Sequence, residues 1–112
     1  MKEVNRSVIV VRAKEPFLHW LNSLPDPGKF TLDEVNQDCT TFLLPEYEDD
    51  SERKKLLERY YPFIFEEQLY DWWRDQDAWP QKRNLKTFKE WFDVDFYCTV
   101  FDLVEKPLMK FD

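Results

Sequence analysis

Residues 69–80 read LYDWWRDQDAWP and place three tryptophans, Trp72, Trp73 and Trp79, within eight positions with acids set between them. The chemistry that suits such a stretch is recognition, because Tyr, Trp and Arg are the residue types enriched at the energetic centres of interfaces. Tyr70, Trp73, Arg74 and Trp79 are therefore the candidate binding residues. On a helix with Phe65 as origin, Leu69 lies at about 40°, Trp72 at about −20° and Trp73 at about 80°, so Trp72 belongs to the buried stripe and Trp73 to its margin. Tyr70 and Phe63, at about 140° and 160°, carry the apolar arc almost to the polar side, where Glu67, Asp71 and Arg74 collect. A surface helix buries an arc of little more than about 100°. The excess is covered either from within, by the helix with Tyr60 and Tyr61 or the loop with Trp79 and Pro80, or by a partner.

Other chemistry-bearing residues are sparse. Gly28 is the single glycine, and phosphate-cradling loops need several, so a Walker loop or a dinucleotide fingerprint is excluded. His19 is the single histidine. That removes HExxH and His-rich zinc sites, and its position about 200° round a helix from Phe17 puts it on the solvent side. Cys39 and Cys98 fall on expected strands and read as small buried hydrophobes rather than a redox pair. Glu67, Asp71 and Asp75 follow i, i+4, i+8 spacing and Asp77 adds an oxygen donor, a set a hard cation could use; nothing matches an EF-hand loop, and the plainer reading is a solvated acidic face. Lys82, Arg83, Lys86 and Lys89 beside Trp79, Phe88 and Trp91 have the residue types of a single-strand nucleic-acid platform, but they also make the ordinary polar face of a helix. No catalytic residue, metal site or cofactor is assigned.

The elements that must position these residues follow from periodicity and punctuation. SVIVVRA, residues 7–13, is β-branched and apolar on both faces, as a buried central strand requires. Pro16 opens a helix on which Phe17, Trp20, Leu21 and Leu24 recur at i, i+3, i+4 and i+7, ended by Pro25 and the Asp26-Pro27-Gly28 turn. Thr31 and Glu34 form a capping-box pattern, with Phe30 and Val35 as its staple, so a short helix should start at Leu32. CTTFLL, residues 39–44, reads as a second strand ended by Pro45. Asp49 with Glu52 caps the next helix, Pro62 should break or kink it, and a further helix should run from about Pro62 to Asp75. Asn84 caps a helix carrying Leu85, Phe88, Trp91 and Phe92, and VDFYCTVFDL, residues 94–103, follows as the last strand. The expectation is one α+β domain over 1–112: a small three-stranded sheet with about four to five helices, mostly on one face. The sheet could be mixed, since both strand connections are long enough for crossovers.

Composition bounds the partners. The net charge of −7 is uneven: residues 1–30 hold five Lys/Arg against three acids, residues 31–80 five against fourteen, and residues 81–112 six against six. An acidic centre repels nucleic-acid backbones and anionic membranes, because affinity for phosphate rests on neutralising it with Lys and Arg. No run approaches the roughly 18 apolar residues of a membrane span, and the opening MKEVNRSVIVV lacks a long apolar core with a cleavage site, so a cytoplasmic protein is expected.

NRSVIVVRAKEPFLHWLNSLP, DCTTFLLPEYED, DWWRD and KEWFDVDFYCTVFDL together resemble small bacterial proteins of unknown function, over nearly the whole chain. The resemblance implies a bacterial single-domain protein and carries no activity onto particular residues. The function expected from the residues is a non-enzymatic protein-binding or regulatory module using the aromatic patch, with the acidic loop 46–52 as a secondary contact, and with a protein partner or a homodimer. The alternative is a small-ligand-binding protein or minor enzyme with an aromatic-lined pocket reached by Arg12, His19 or the carboxylates. An acidic mimic of nucleic acid ranks below both.

Overall fold

The structure, a computed structural model, describes residues 2–25 and 28–111; most of the expected Asp26-Pro27-Gly28 turn lies outside them. Its elements are β1 (Lys2–Glu3), β2 (Ser7–Ala13), α1 (Glu15–Ser23), α2 (Leu32–Val35), β3 (Thr40–Leu44), α3 (Asp50–Trp72), α4 (Leu85–Trp91), β4 (Phe92–Tyr97) and β5 (Phe101–Asp102), with 3-10 turns at Asn36–Asp38 and Gln76–Ala78.

SVIVVRA is the central strand. The sheet order is β3-β2-β4, with β2 antiparallel to both neighbours, so the sheet is not mixed. Alternation along β2 divides its residues. Ser7, Ile9, Val11 and Ala13 are buried, whereas Val8, Val10 and Arg12 are only half-buried. Ile9 pairs with Phe42 and Phe96, and Val8 with Leu43 and Tyr97. The first set meets the helices and the second forms an open face. Burying Ser7 costs nothing unpaired, because its hydroxyl donates to the Pro45 carbonyl at 2.7 Å.

The core between sheet and helices is aromatic. Phe17, Phe65, Phe88 and Phe92 are 0–3% exposed, and Phe92 lies 5.4, 5.4 and 5.1 Å from Phe17, Phe65 and Phe88, in tilted and edge-on geometries. Such pairs favour those arrangements because ring faces are negative and ring edges positive. The α1 stripe behaves as its spacing requires, with Phe17, Trp20, Leu21 and Leu24 all buried and His19 exposed.

Local caps hold where the sequence marks them. Thr31 and Glu34 close a reciprocal capping box that starts α2 at Leu32, and the Asn84 side chain accepts from the Thr87 N–H to start α4.

Two expectations are corrected. Pro62 does not divide the central helix: α3 runs 23 residues through it. Proline removes one backbone donor and crowds the preceding turn, but Pro62 faces solvent, and Leu57, Ile64, Phe65, Gln68 and Leu69 on the other side keep the helix seated on the core. The last strand is also not continuous. β4 pairs with β2 through Val8↔Tyr97, and β5 pairs with β1 through Glu3↔Phe101. Between those pairs lie four residues on one side, Val4–Ser7, and three on the other, Cys98–Val100. One extra residue is the signature of a β-bulge, which interrupts the ladder and bends it. The Val4 N–H still donates to the Val100 carbonyl at 2.8 Å. Beyond the bulge, β1 and β5 continue as a two-stranded ribbon that β3 does not accompany.

Candidate functional site

The four residues singled out from the sequence are separated by the end of α3. The helix stops at Trp72, not near Asp75, and Trp73 has an extended backbone, its N–H donating to the Leu69 carbonyl at 2.8 Å. Helical angles therefore do not describe Trp73 or Arg74. Trp72 is half-buried rather than central to the buried stripe, its ring edge-on to Phe30 at 5.2 Å.

Trp79 is covered by its own chain, at 6% exposure. Its indole N–H donates to the Trp73 carbonyl at 2.7 Å, and the Trp20 indole N–H donates to the neighbouring Ala78 carbonyl at 2.9 Å. The Arg83 guanidinium sits 5.7 Å above the Trp79 ring while donating to Pro80 O and pairing with Glu66 at 3.7 Å. This occupies Arg83 as a clamp between α3 and the 79–83 loop. Trp73 is half-buried against the core, and its indole nitrogen is buried with no partner among the described residues.

Tyr70 and Arg74 remain together at the surface. Tyr70 is 44% exposed, with the Arg74 guanidinium 5.3 Å above its ring. The residue that completes the patch is Phe63, 67% exposed. Phe63, Glu66, Glu67 and Tyr70 line a shallow depression of about 430 Å³, with Gln76 and Trp79 on its far wall. Phe63 and Tyr70 are seven residues apart, two helical turns, with Glu66 and Glu67 between them on the same face. That spacing was visible in the sequence as the over-wide apolar arc. Partial burial pushes the Glu67 carboxyl above its ordinary range, and the neighbouring Asp71 carboxylate adds to the shift by charge and by a shared hydrogen bond. The depression is thus apolar at both ends and electron-rich between them.

A second concavity, about 290 Å³, lies at the start of β3, bounded by Glu34, Asn36, Cys39, Gln68, Asp71 and Trp72. The Asn36 amide clasps the end of β2, accepting from Ala13 N–H at 2.8 Å and donating to Ala13 O at 3.0 Å. Gln68 has no such engagement. It is 7% exposed, and its side-chain nitrogen is buried with no partner among the described residues.

The remaining candidates are dispersed. Arg12 pairs with Asp95 on the open sheet face, and the hydrogen bond and charge of that carboxylate raise its pKa further. His19 borders a wide surface depression with Pro16, Trp20, Pro80 and Trp91. Asp75 leaves the helix and instead accepts from the Asp77 N–H, which breaks the i, i+4, i+8 series; among the described residues no three carboxylate, imidazole or thiol groups converge. Cys39 and Cys98 are free thiols, half-buried and exposed, just outside β3 and β4 rather than within them. Those strands flank β2 on opposite sides, and the cysteines lie at opposite ends of the sheet. They form no redox pair. No helix among the described residues is long and apolar enough to cross a membrane. Comparison with known protein families, curated proteins and solved structures gives no match.

Proposed function

We propose that this chain is a non-enzymatic protein-binding module whose α3 face, Phe63, Glu66, Glu67 and Tyr70, receives an apolar, basic segment of a partner protein. The observation that carries the reading is the exposure of Phe63, 67%, beside Tyr70 on a helix whose other side is fully committed to the core. Exposed aromatic anchors around a small concavity suit side chains from a partner. The chemistry between the anchors selects that partner. Glu67 and Asp71 repel one another, so a lysine or arginine arriving there relieves repulsion as well as forming a pair. Arg74 over Tyr70 makes a cationic rim that discourages a second basic group at that end.

Selection from a random linear-peptide library tests this. Enriched sequences should combine Lys or Arg with aromatic or aliphatic residues, and their affinity should fall roughly tenfold or more in Phe63→Ser and in Glu67→Gln. Enrichment of acidic peptides, or affinity indifferent to both substitutions, contradicts the proposal.

One observation favours a second reading, binding of a small ligand in the 290 Å³ concavity: the buried Gln68 amide nitrogen, a donor with no acceptor among the described residues. A ligand that presents a carbonyl or carboxylate oxygen there and a flat apolar part to Trp72 suits it. Ligand-induced quenching that is abolished by Gln68→Leu supports this reading, and quenching unaffected by that change removes it.

A further inference from the structure

Large apolar side chains at the surface are not scattered over this molecule. Ten are well exposed among the described residues; apart from Phe63 and Tyr70, all lie in two places. One is the segment following β4, in which Phe101, Leu103, Val104, Leu108, Met109 and Phe111 are 51–85% exposed. The other is the open sheet face, where Leu43 and Tyr97, 49% and 55% exposed, flank Val8 in a single cross-strand row. The first is a projecting arm: it begins on the two-stranded β1–β5 ribbon beyond the bulge, and the molecule is 45 Å long with a radius of gyration of 15.6 Å, against about 13 Å for a compact domain of this length. A two-stranded ribbon is marginal on its own, and this one covers no core.

The arm does not serve its own sheet. The Val104 N–H donates to the Asp102 side chain at 2.8 Å, turning the chain beside Lys2–Val4, and Leu43 and Tyr97 stay uncovered. We infer that the arm and the open sheet face are the two halves of a self-complementary interface, the arm of one copy lying across the Leu43–Val8–Tyr97 row of a second copy and the reverse.

Three features support a second copy as the occupant. The first is area. The arm exposes six large apolar side chains and the face two more beside Val8, and a two-fold arrangement buries each set twice, toward the roughly 800 Å² per partner of a standard interface. The second is reach. Residues 103–111, extended, span up to about 30 Å, enough to cross three strands spaced about 4.8 Å apart. The third is charge. Residues 103–111 carry Lys106 and Lys110 against Glu105, whereas the loop after β3, at the arm's end of the sheet, exposes Glu46, Glu48 and Asp49. An arm crossing the Leu43 row brings its lysines toward that acidic loop, and the pairing offsets the repulsion between two chains of charge −7. The interface uses neither Phe63 nor Tyr70, so it stands or falls apart from the proposed partner site.

Complementation tests the reciprocal geometry. An arm variant, Leu108→Asp with Phe111→Asp, and a face variant, Leu43→Lys with Tyr97→Lys, change exposed positions only, and circular dichroism verifies that each folds. By sedimentation across a concentration series, the wild type should have twice the 13.9 kDa chain mass, and each variant alone should be a monomer. A mixture should regain heterodimer, weaker than wild type, because one intact arm then meets one intact face. A monomeric wild type overturns the inference and assigns the arm to another protein. A dimer that persists in both variants, or variants that fail to complement, overturns it too, by placing the contact elsewhere or pairing arm with arm.

Discussion

Single residues decide which part of the tryptophan cluster is available to a partner. Trp79 looked equivalent to Trp73 in the sequence, yet its indole N–H is spent on the Trp73 carbonyl and its ring on Arg83. Nothing in the local pattern announces that, because the bond depends on where α3 stops. Phe63 was legible as an apolar residue on the wrong side of its helix, and it stays uncovered. Glu67 gives this surface a pH signature. Its folded-state pKa lies above the ordinary carboxylate value, so between the two values the native state holds more proton than the unfolded chain, and stability falls as pH rises through that window. Glu67→Gln should accordingly stabilise the protein near neutral pH by a few tenths of a kcal/mol, a small figure because the site is solvent-screened, and the gain should vanish below about pH 4. Urea melts at both pH values measure it; a loss of stability at neutral pH contradicts the assignment. The thiols differ in the same concrete way. Cys98 is exposed and Cys39 half-buried, with its Sγ–H donated to the Asn36 carbonyl at 3.2 Å. One thiol per chain should react rapidly with a maleimide in the native protein and the second only slowly, with peptide mapping assigning the fast one to Cys98; equal rates contradict it.

At the scale of elements, caps and stripes were readable because they rest on contacts within a few residues. The Thr31–Glu34 box, the Asn84 cap and the α1 stripe all stand where spacing placed them. What was not readable depends on distant packing. Pro62 carries a local signal to break a helix, and burial of Ile64, Phe65, Gln68 and Leu69 overrides it. Pro62→Ala restores a helical N–H and removes ring crowding, a gain of up to about 3 kcal/mol, partly offset because alanine frees the unfolded chain by roughly 0.4–1 kcal/mol. The net expectation is a stabilisation of about 1–2 kcal/mol in chemical denaturation. A destabilised variant contradicts it and means that the proline shapes α3 for its contacts. The bulge between β2 and β1 escaped the sequence for a related reason: one face of VDFYCTVFDL is mixed, with Tyr97, Phe101 and Leu103 beside Asp95 and Thr99, so its pattern marks no strand break, and the extra residue lies on the opposite strand, at Val4–Ser7.

On the scale of the whole molecule, helices fill one side of a three-stranded antiparallel sheet and leave the other open. This is the α+β layering anticipated from the order of elements, but strand order and direction required the pairing itself. The fold divides the surface into an acidic, aromatic α3 face and, away from it, the open sheet with its arm. Among the described residues no three carboxylate, imidazole or thiol groups converge on these surfaces, and the central proposal is recognition of a partner segment by the α3 face. An amide NMR titration with the basic, apolar peptide selected above tests that proposal most directly. Shifts concentrated on residues 63–70 and Arg74, with Asn36–Cys39 and Trp72 unmoved, are the predicted result. Shifts confined to Asn36–Cys39, Gln68 and Trp72 would contradict the account and give the function to the small-ligand concavity.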